Sequence, residues 1–178
     1  MSTLSNSPYH HGNLRQTILE VALRILAREG ASALSLRDLA RVVGVSPAAP
    51  YRHFDSRAAL LEALAVTGYQ RFAAAMEEVI SSNPPEPLAA MGKTYVLFAL
   101  ENANLFRLMF SPDLKKDGRP GLKMAADAAF ETLRSAVGGD AYMNRVFVSV
   151  LLIPAPVLII PIYLMLSRLE LVGSYPGL

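Results

Sequence analysis

The 178-residue chain contains no cysteine. This absence excludes disulfide bonds, thiol redox sensing, and zinc or iron–sulfur sites with cysteine ligands. Histidine is also scarce, with three copies, all at or before residue 53. His10 and His11 are adjacent, but a zinc site needs three or four ligands. We therefore interpret the pair as part of an exposed N-terminal arm and expect no bound metal.

The chain also lacks the motifs of the common enzyme chemistries. It has no glycine-rich phosphate-binding loop, no nucleophile elbow and no metal-ligand cluster. We expect a protein that is not an enzyme and that uses no cofactor. Convincing strand alternation and internal repeats are absent as well, so helices dominate the predicted fold. The length allows one domain, or a small domain fused to a medium one.

Charged residues are few, and the net charge is only +2. Residues 1–57 carry seven arginines against four acidic residues, giving +3, whereas residues 58–178 carry ten basic against eleven acidic residues, giving −1. The basic excess therefore lies in the first third of the chain, as expected for a surface that faces a polyanion. An ordinary solvated surface would explain this net charge of +3 almost as well. The N-terminal arm has no apolar signal region, so we expect a cytoplasmic location.

The segment from Ser35 to Phe54 is the most informative part of the sequence. Ser35 followed three residues later by Asp38 is a capping-box pattern. In this pattern the serine oxygen accepts from a backbone N–H and the carboxylate reaches back, so a helix should begin at Leu36. Apolar residues then recur at helical spacing on one face. Gly44 is placed to end the helix in the left-handed conformation.

A second short helix should follow at once. Ser46 and Pro47 are an N-cap and a proline at the first helical position. Pro50 then lies at the fourth helical position, where it removes only the first intrahelical bond. Two short helices joined by a turn of three or four residues form the helix-turn-helix arrangement, whose second helix enters the major groove of DNA.

Two groups of side chains are predicted to contact DNA. The first offers a hydroxyl and small apolar surface, suited to thymine methyl groups but without a bidentate reader of bases. The second supplies phosphate contacts, which position the protein more than they specify sequence. The first group is Ser46, Pro47, Ala48 and Ala49; the second is Arg37, Tyr51, Arg52, His53 and Arg57, with the helix cap Ser35 beside them.

This order of elements resembles the TetR family of bacterial transcriptional regulators over roughly residues 12–68. The match begins with an amphipathic helix over about residues 14–28 and ends with DSRAALLEAL. The resemblance implies an all-α fold, with a three-helix DNA-binding domain followed by a helical domain that binds a small effector and dimerises. It also implies phosphate contacts from Tyr51, His53 and Arg57, where the family commonly has lysine at position 57, and groove contacts from Ala48 and Ala49. The matching positions are Gly30, Ser35, Ala40, Gly44, Val45, Ser46, Tyr51, Phe54, Arg57 and Leu60.

The rest of the chain predicts further helices. Residues 57–81 read as a connecting helix, and the helix stoppers from Ser81 to Pro87 mark the best boundary. Helices are expected over 88–102, 105–110 and 122–137. The predicted domains are 1–56 (arm and helix-turn-helix), 57–81 (connecting helix) and 82–178 (regulatory domain, atypical after about 145).

Large, soft side chains gather in the regulatory region at helical spacing. Such a stripe is more often plain core than the lining of a ligand pocket. The family resemblance moves the balance toward a pocket for a small apolar or amphipathic effector. The candidate lining residues are Met91, Tyr95, Phe98, Phe106, Met109, Phe110 and Phe130.

The segment from Val146 to Leu166 departs from the family pattern. It has 21 residues without a charge, including three prolines. It is interpreted as a proline-broken buried helix pair, as a membrane anchor, or as a tail that diverged, conceivably through a reading-frame change. The leading hypothesis is a homodimeric repressor released from a double-stranded DNA operator by an effector. The alternative is a membrane-attached regulator or small membrane protein using residues 146–166.

Overall fold

The computed structural model describes residues 14–114 and 119–136. Within these residues the fold is all-helical, with no strand. We call residues 46–53 the reading segment, because they are predicted to contact DNA. Outside it, the ends of the predicted helices agree with the observed ends within two residues over the part described. The elements are α1 (Leu14–Glu29), a 3-10 helix (Ala31–Ala33), α2 (Leu36–Val43), a second 3-10 helix (Pro50–Arg52), α3 (Arg57–Ser81), α4 (Pro87–Glu101), α5 (Ala103–Met109) and α6 (Pro120–Ala136).

Helix α2 begins and ends where the sequence predicts. The Ser35 side chain accepts a hydrogen bond from the backbone N–H of Asp38 at 3.4 Å. The second half of the predicted capping box is wrong, because the Asp38 carboxylate accepts from Arg41 at 2.9 Å instead of reaching back. Gly44 ends the helix with φ 79° and ψ 31°, the left-handed conformation that glycine adopts without a steric penalty.

The second helix of the predicted pair differs in form from the expectation. Residues 47–49 form a turn, and only Pro50–Arg52 are helical, with 3-10 geometry. The backbone bonds run from Ala49 N to Ser46 O and from Arg52 N to Ala49 O, each spanning three residues. Pro50 explains this tight winding, because it has no N–H to give and its ring crowds the carbonyl four residues earlier.

The N-terminal half, from α1 to the beginning of α3, is predicted to contact DNA and is called the DNA-reading half. It is held together by a small group of buried apolar residues. It forms between α1, α2, the second 3-10 helix and the beginning of α3, where Ile18, Ala22, Leu39 and Leu60 are almost fully buried. Phe54, directly after the second 3-10 helix, is 2% exposed. The reading segment is therefore anchored at its C-terminal end by a buried ring.

Helix α3 joins the two halves. Its 25 residues extend for about 37 Å at a rise of ~1.5 Å per residue. It packs against α1 near its start and against α4, α5 and α6 farther along. Gly68 on α3 permits an especially close approach, since a Cβ there would lie 2.7 Å from Met109 Sδ on α5. Helix α3 thus contributes to a single apolar core that extends from α1 to α6.

The predicted arm (1–13) and the apolar segment 146–166 lie outside the described residues. Over residues 14–114 and 119–136, no helix is both long enough and apolar enough to span a membrane.

Removing the cap of α2 gives a direct test of its predicted start. Ser35→Ala should lower the free energy of unfolding by about 1 kcal/mol, because the N–H of Asp38 loses its acceptor. Chemical denaturation measures this change. The matched control is Ser32→Ala in the preceding 3-10 helix, where Ser32 is exposed and the change should stay within about 0.5 kcal/mol. Equal stability of the two variants would contradict a capping role for Ser35.

Candidate DNA-binding surface

The reading segment presents small side chains to solvent. Ser46, Pro47 and Ala48 are exposed, and Ala49 is half-buried. Behind them, Pro50 is buried in the core. The segment therefore offers a low, smooth ridge that can approach a DNA groove closely. The predicted groove-facing residues do lie together, although on a turn that leads into the second 3-10 helix rather than on an α-helix.

The side chains predicted to contact phosphates are exposed. The ring of Tyr51 is large, apolar and 51% exposed. Arg52 and His53 follow it and are also exposed. Arg37 is exposed in the first turn of α2, beside the capping residue Ser35. Backbone N–H groups at the N-terminus of α2 add a favourable environment for an anion.

Arg57 is the predicted DNA contact whose surroundings differ most from the expectation. Its Nε donates to the carbonyl of Leu34 at 2.9 Å, and its Nη2 donates to the carbonyl of Ala31. These bonds place the guanidinium against the connection between α1 and α2, close to Ser35. At least two of its five N–H groups therefore face the protein.

Sequence reasoning missed Arg15. Its guanidinium lies 5.3 Å from the centre of the Phe54 ring, a cation–π arrangement that brings a charge from α1 to the end of the reading segment. The amphipathic pattern of α1 leaves Arg15 on the polar side, but nothing local pairs it with a residue 39 positions later. Only the three-dimensional fold does so.

Most arginines on this surface form no ion pair in the part of the chain that the structure describes. Among residues 14–114 and 119–136, none of Arg15, Arg37, Arg52 and Arg57 forms a salt bridge with a carboxylate. Arg41 is the exception on α2, since it pairs with Asp38 at 2.9 Å. Charge on this face is therefore available to a polyanion. No group of three or more potential metal ligands occurs in the described part of the chain.

The predicted effector-lining residues form a packed aromatic cluster. Phe72 of α3 meets Tyr95 and Phe98 edge-on, with ring centroids 5.5 and 5.2 Å apart. Phe106 packs against Phe110 with ring centroids 4.8 Å apart and ring planes tilted by 47°. Burial raises the pKa of Tyr95 to about 12, so its hydroxyl stays protonated. Met91, Met109 and Phe130 complete the set; the two methionines are buried, and Phe130 packs edge-on against Phe110.

Two clefts in the described residues have other linings. One, of about 190 Å³, lies between α1, α3 and the α4–α5 junction and includes Arg71, Asn102 and Asn104. The other, of about 760 Å³, lies between α1 and α2 and includes Val42 and Arg41. None of the predicted effector-lining residues lines either cleft, although their neighbour Leu105 lines the first. The role of the aromatic cluster as an effector site stays a prediction.

Helix α5 connects the aromatic cluster to the DNA-reading half. The Asn104 side chain donates to the carbonyl of Ala27, near the end of α1, at 3.0 Å. The buried Tyr69 hydroxyl donates to the carbonyl of Met109 at 2.8 Å. Burial, and then the neighbouring Tyr95, raise the pKa of Tyr69, so this donor keeps its proton. The first bond joins residues 77 positions apart, which no local pattern predicts.

Comparison with known proteins gives a family match over the DNA-reading half. Residues 18–64 match the family described as bacterial regulatory proteins, tetR family. The tetracycline repressor protein class D of Escherichia coli is 30% identical over 93 residues, which cover 52% of this chain and 38% of that repressor. The match therefore spans less than two thirds of this relative's length.

Two solved structures extend the similarity toward the C-terminal half. A protein of unknown function from Rhodococcus sp. RHA1 has a TM-score of 0.72 and 31% identity, covering 96% of this chain and 90% of its own. The TetR family transcriptional regulator PfmR from Thermus thermophilus has a TM-score of 0.52 and 28% identity, covering 67% and 68% of the two chains. The all-helical arrangement, with a helix-turn-helix half and a C-terminal helical half, is thus shared with known regulators.

Proposed function

This chain belongs to the TetR family of bacterial regulatory proteins, and from that premise we propose that it is a DNA-binding transcriptional regulator. The observation that carries the proposal is the ridge of residues 46–49, exposed over 46–48 and followed by the exposed Tyr51 and Arg52, with Arg37 exposed in the first turn of α2. Small side chains allow a close approach to base edges, and the surrounding residues hold phosphates. A cytoplasmic location follows from this role.

Base readout by this ridge is modest in the proposed complex. Ala48 and Ala49 can contact thymine methyl groups, and Ser46 offers one hydroxyl. Neither Arg nor Asn stands at the tip of the ridge to make a bidentate contact with a base. Sequence preference therefore depends on close fit and on the shape of the DNA as well as on base-specific hydrogen bonds.

The regulator acts as a homodimer in this proposal. Two reading segments then contact a near-palindromic operator at sites one helical turn apart, roughly 34–36 Å. We place the N-terminal arm and the helix-turn-helix domain at residues 1–56, the connecting helix at 57–81 and the regulatory domain at 82–178. Helix α3 carries the reader at one end and packs against α4, α5 and α6 along the remainder.

The proposed regulation is release from DNA by a small apolar or amphipathic effector. Its site is the aromatic cluster that contains Phe98, Phe106 and Phe110, which an effector would open as it binds. Movement of α5 would then pull on Ala27 through Asn104, and on α3 through the close contact of Gly68 with Met109. A coupling free energy of about 1–3 kcal/mol lowers operator affinity about 5- to 150-fold.

Footprinting on the DNA upstream of the chain's own gene tests the proposed function. We expect one protected site with approximate two-fold symmetry, occupied by a protein dimer. The free protein should then have a molar mass twice that of the 19.3 kDa chain. Light scattering of the purified protein without DNA gives that mass. Protection without a preferred site, by a monomer, would contradict the proposed regulator.

A further inference from the structure

Arg57 ties the first turn of α3 to the connection between α1 and α2. It is the first residue of α3, directly after the N-cap Ser56, whose side chain accepts from Ala59 N at 3.2 Å. A cation in the first turn opposes the helix dipole, so the residue is not explained by the stability of α3. Its two hydrogen bonds to residues 31 and 34 provide an explanation.

These two bonds fit the geometry of an arginine side chain. The acceptors are the carbonyls of Ala31 and Leu34, three residues apart at the two ends of the first 3-10 helix. A planar guanidinium presents several N–H groups in a fixed fork and can bind both carbonyls at once. A lysine ammonium is a compact point charge on a flexible stem, and it cannot reproduce that planar fork.

The position of the acceptors connects this contact to DNA reading. Leu34 is 2% exposed and directly precedes Ser35, the N-cap of α2. Fixing the Leu34 carbonyl therefore fixes the start of α2 relative to the first turn of α3. Because α2 leads directly into residues 46–53, fixing α2 also fixes the orientation of these residues relative to α3.

We propose that Arg57 is a positioning residue, which sets the orientation of the helix-turn-helix relative to α3 instead of holding a DNA phosphate. The inference rests on the proposed DNA-binding function. It assigns phosphate binding to Arg37 and Arg52. Arg57 is exposed as they are, but its guanidinium already donates to two backbone carbonyls. Substitution of Arg57 should therefore affect binding to the operator more than binding to other DNA.

Three variants test this assignment: Arg57→Lys, Arg57→Gln and, as a phosphate-contact control, Arg52→Gln. The probes are a 30-base-pair duplex carrying the footprinted site and a scrambled duplex of equal composition, each titrated at several salt concentrations. Arg57→Lys and Arg57→Gln should each weaken operator binding about tenfold because an oriented, charge-assisted bond is lost. The salt slope should stay within about 0.3 of wild type, and binding to the scrambled duplex within about twofold.

The control should behave in the opposite way. Arg52→Gln should weaken binding to both duplexes and reduce the salt slope by about 1.8, the signature of one lost phosphate contact in each protomer of the dimer. A thermal unfolding scan establishes that each variant is folded at the assay temperature. If Arg57→Gln unfolds, Arg57→Lys decides, because it keeps the charge and loses the fork.

The outcomes separate the two proposals. Wild-type affinity in Arg57→Lys, together with a slope reduced by about 1.8 in Arg57→Gln, would make Arg57 a phosphate contact in each protomer and overturn its positioning role alone. A wild-type protein that binds neither duplex would overturn the proposed function, and the positioning role with it.

Discussion

Replacing Ala48 by glutamate should abolish high-affinity operator binding while leaving the fold unchanged. Ala48 is exposed on the ridge of the reading segment. A carboxylate there would face the phosphates and the electronegative base edges of the groove, and like-charge contacts of this kind cost several kcal/mol. We expect at least a 100-fold loss of affinity, about 2.7 kcal/mol. Because the site is exposed, the free energy of unfolding should change by less than about 0.5 kcal/mol.

The matched control is Ala74→Glu, which adds the same charge at an exposed position of α3. Residue 74 lies 17 positions beyond Arg57, about 25 Å along the helix at ~1.5 Å per residue. That distance exceeds the Debye length of roughly 8–10 Å at ordinary salt. Operator affinity of Ala74→Glu should therefore stay within about threefold of wild type. If Ala48→Glu bound the operator as well as this control does, the reading segment would be wrongly placed.

Valine in place of Gly68 should destabilise the protein more than any surface change. A Cβ at this position would lie 2.7 Å from Sδ and 2.8 Å from Cγ of Met109, and 3.2 Å from a methyl group of Leu105. Met109 cannot move aside freely, since its side chain is buried and its carbonyl accepts the Tyr69 hydroxyl. Overpacking of this kind costs about 1–3 kcal/mol, and we expect the upper part of that range for valine.

Gly92 offers a matched control within α4. A Cβ built there has no neighbouring atom within 4 Å. Gly92→Val should therefore change the free energy of unfolding by less than about 0.5 kcal/mol. Urea denaturation of both variants gives the comparison. Similar stability of Gly68→Val and Gly92→Val would show that α3 and α5 are not in close contact, and the proposed route from α5 to the reader would lose its support.

Local features of the fold could be predicted from the sequence because their causes are local. The Ser35 cap, the left-handed Gly44 and the 3.6-residue apolar period of α1 and α3 each depend on neighbours within one or two turns. The helix type of residues 50–52 differs from the prediction. The sequence predicts that Pro50 removes only the first bond of a short α-helix, whereas the structure has one turn of 3-10 helix there.

Features that depend on distant residues could not be predicted. The Arg57 bond to Leu34 crosses 23 positions, and the Asn104 bond to Ala27 crosses 77. The sequence identifies Arg57 as a cation near the DNA-reading segment, and charge alone suggests a phosphate contact. Only the position of the two backbone carbonyls reveals another role.

The most direct test of the central claim is the affinity of the wild-type protein for its footprinted operator as a function of salt, with the scrambled duplex as competitor. Arg37 and Arg52 supply two cationic phosphate contacts per protomer and four per dimer. A plot of log K against log salt should therefore have a slope of about −3.6, and the competitor should displace the protein only at about 1,000-fold excess. A slope near zero, or equal affinity for the two duplexes, would contradict a DNA-binding regulator that reads its operator through residues 46–53.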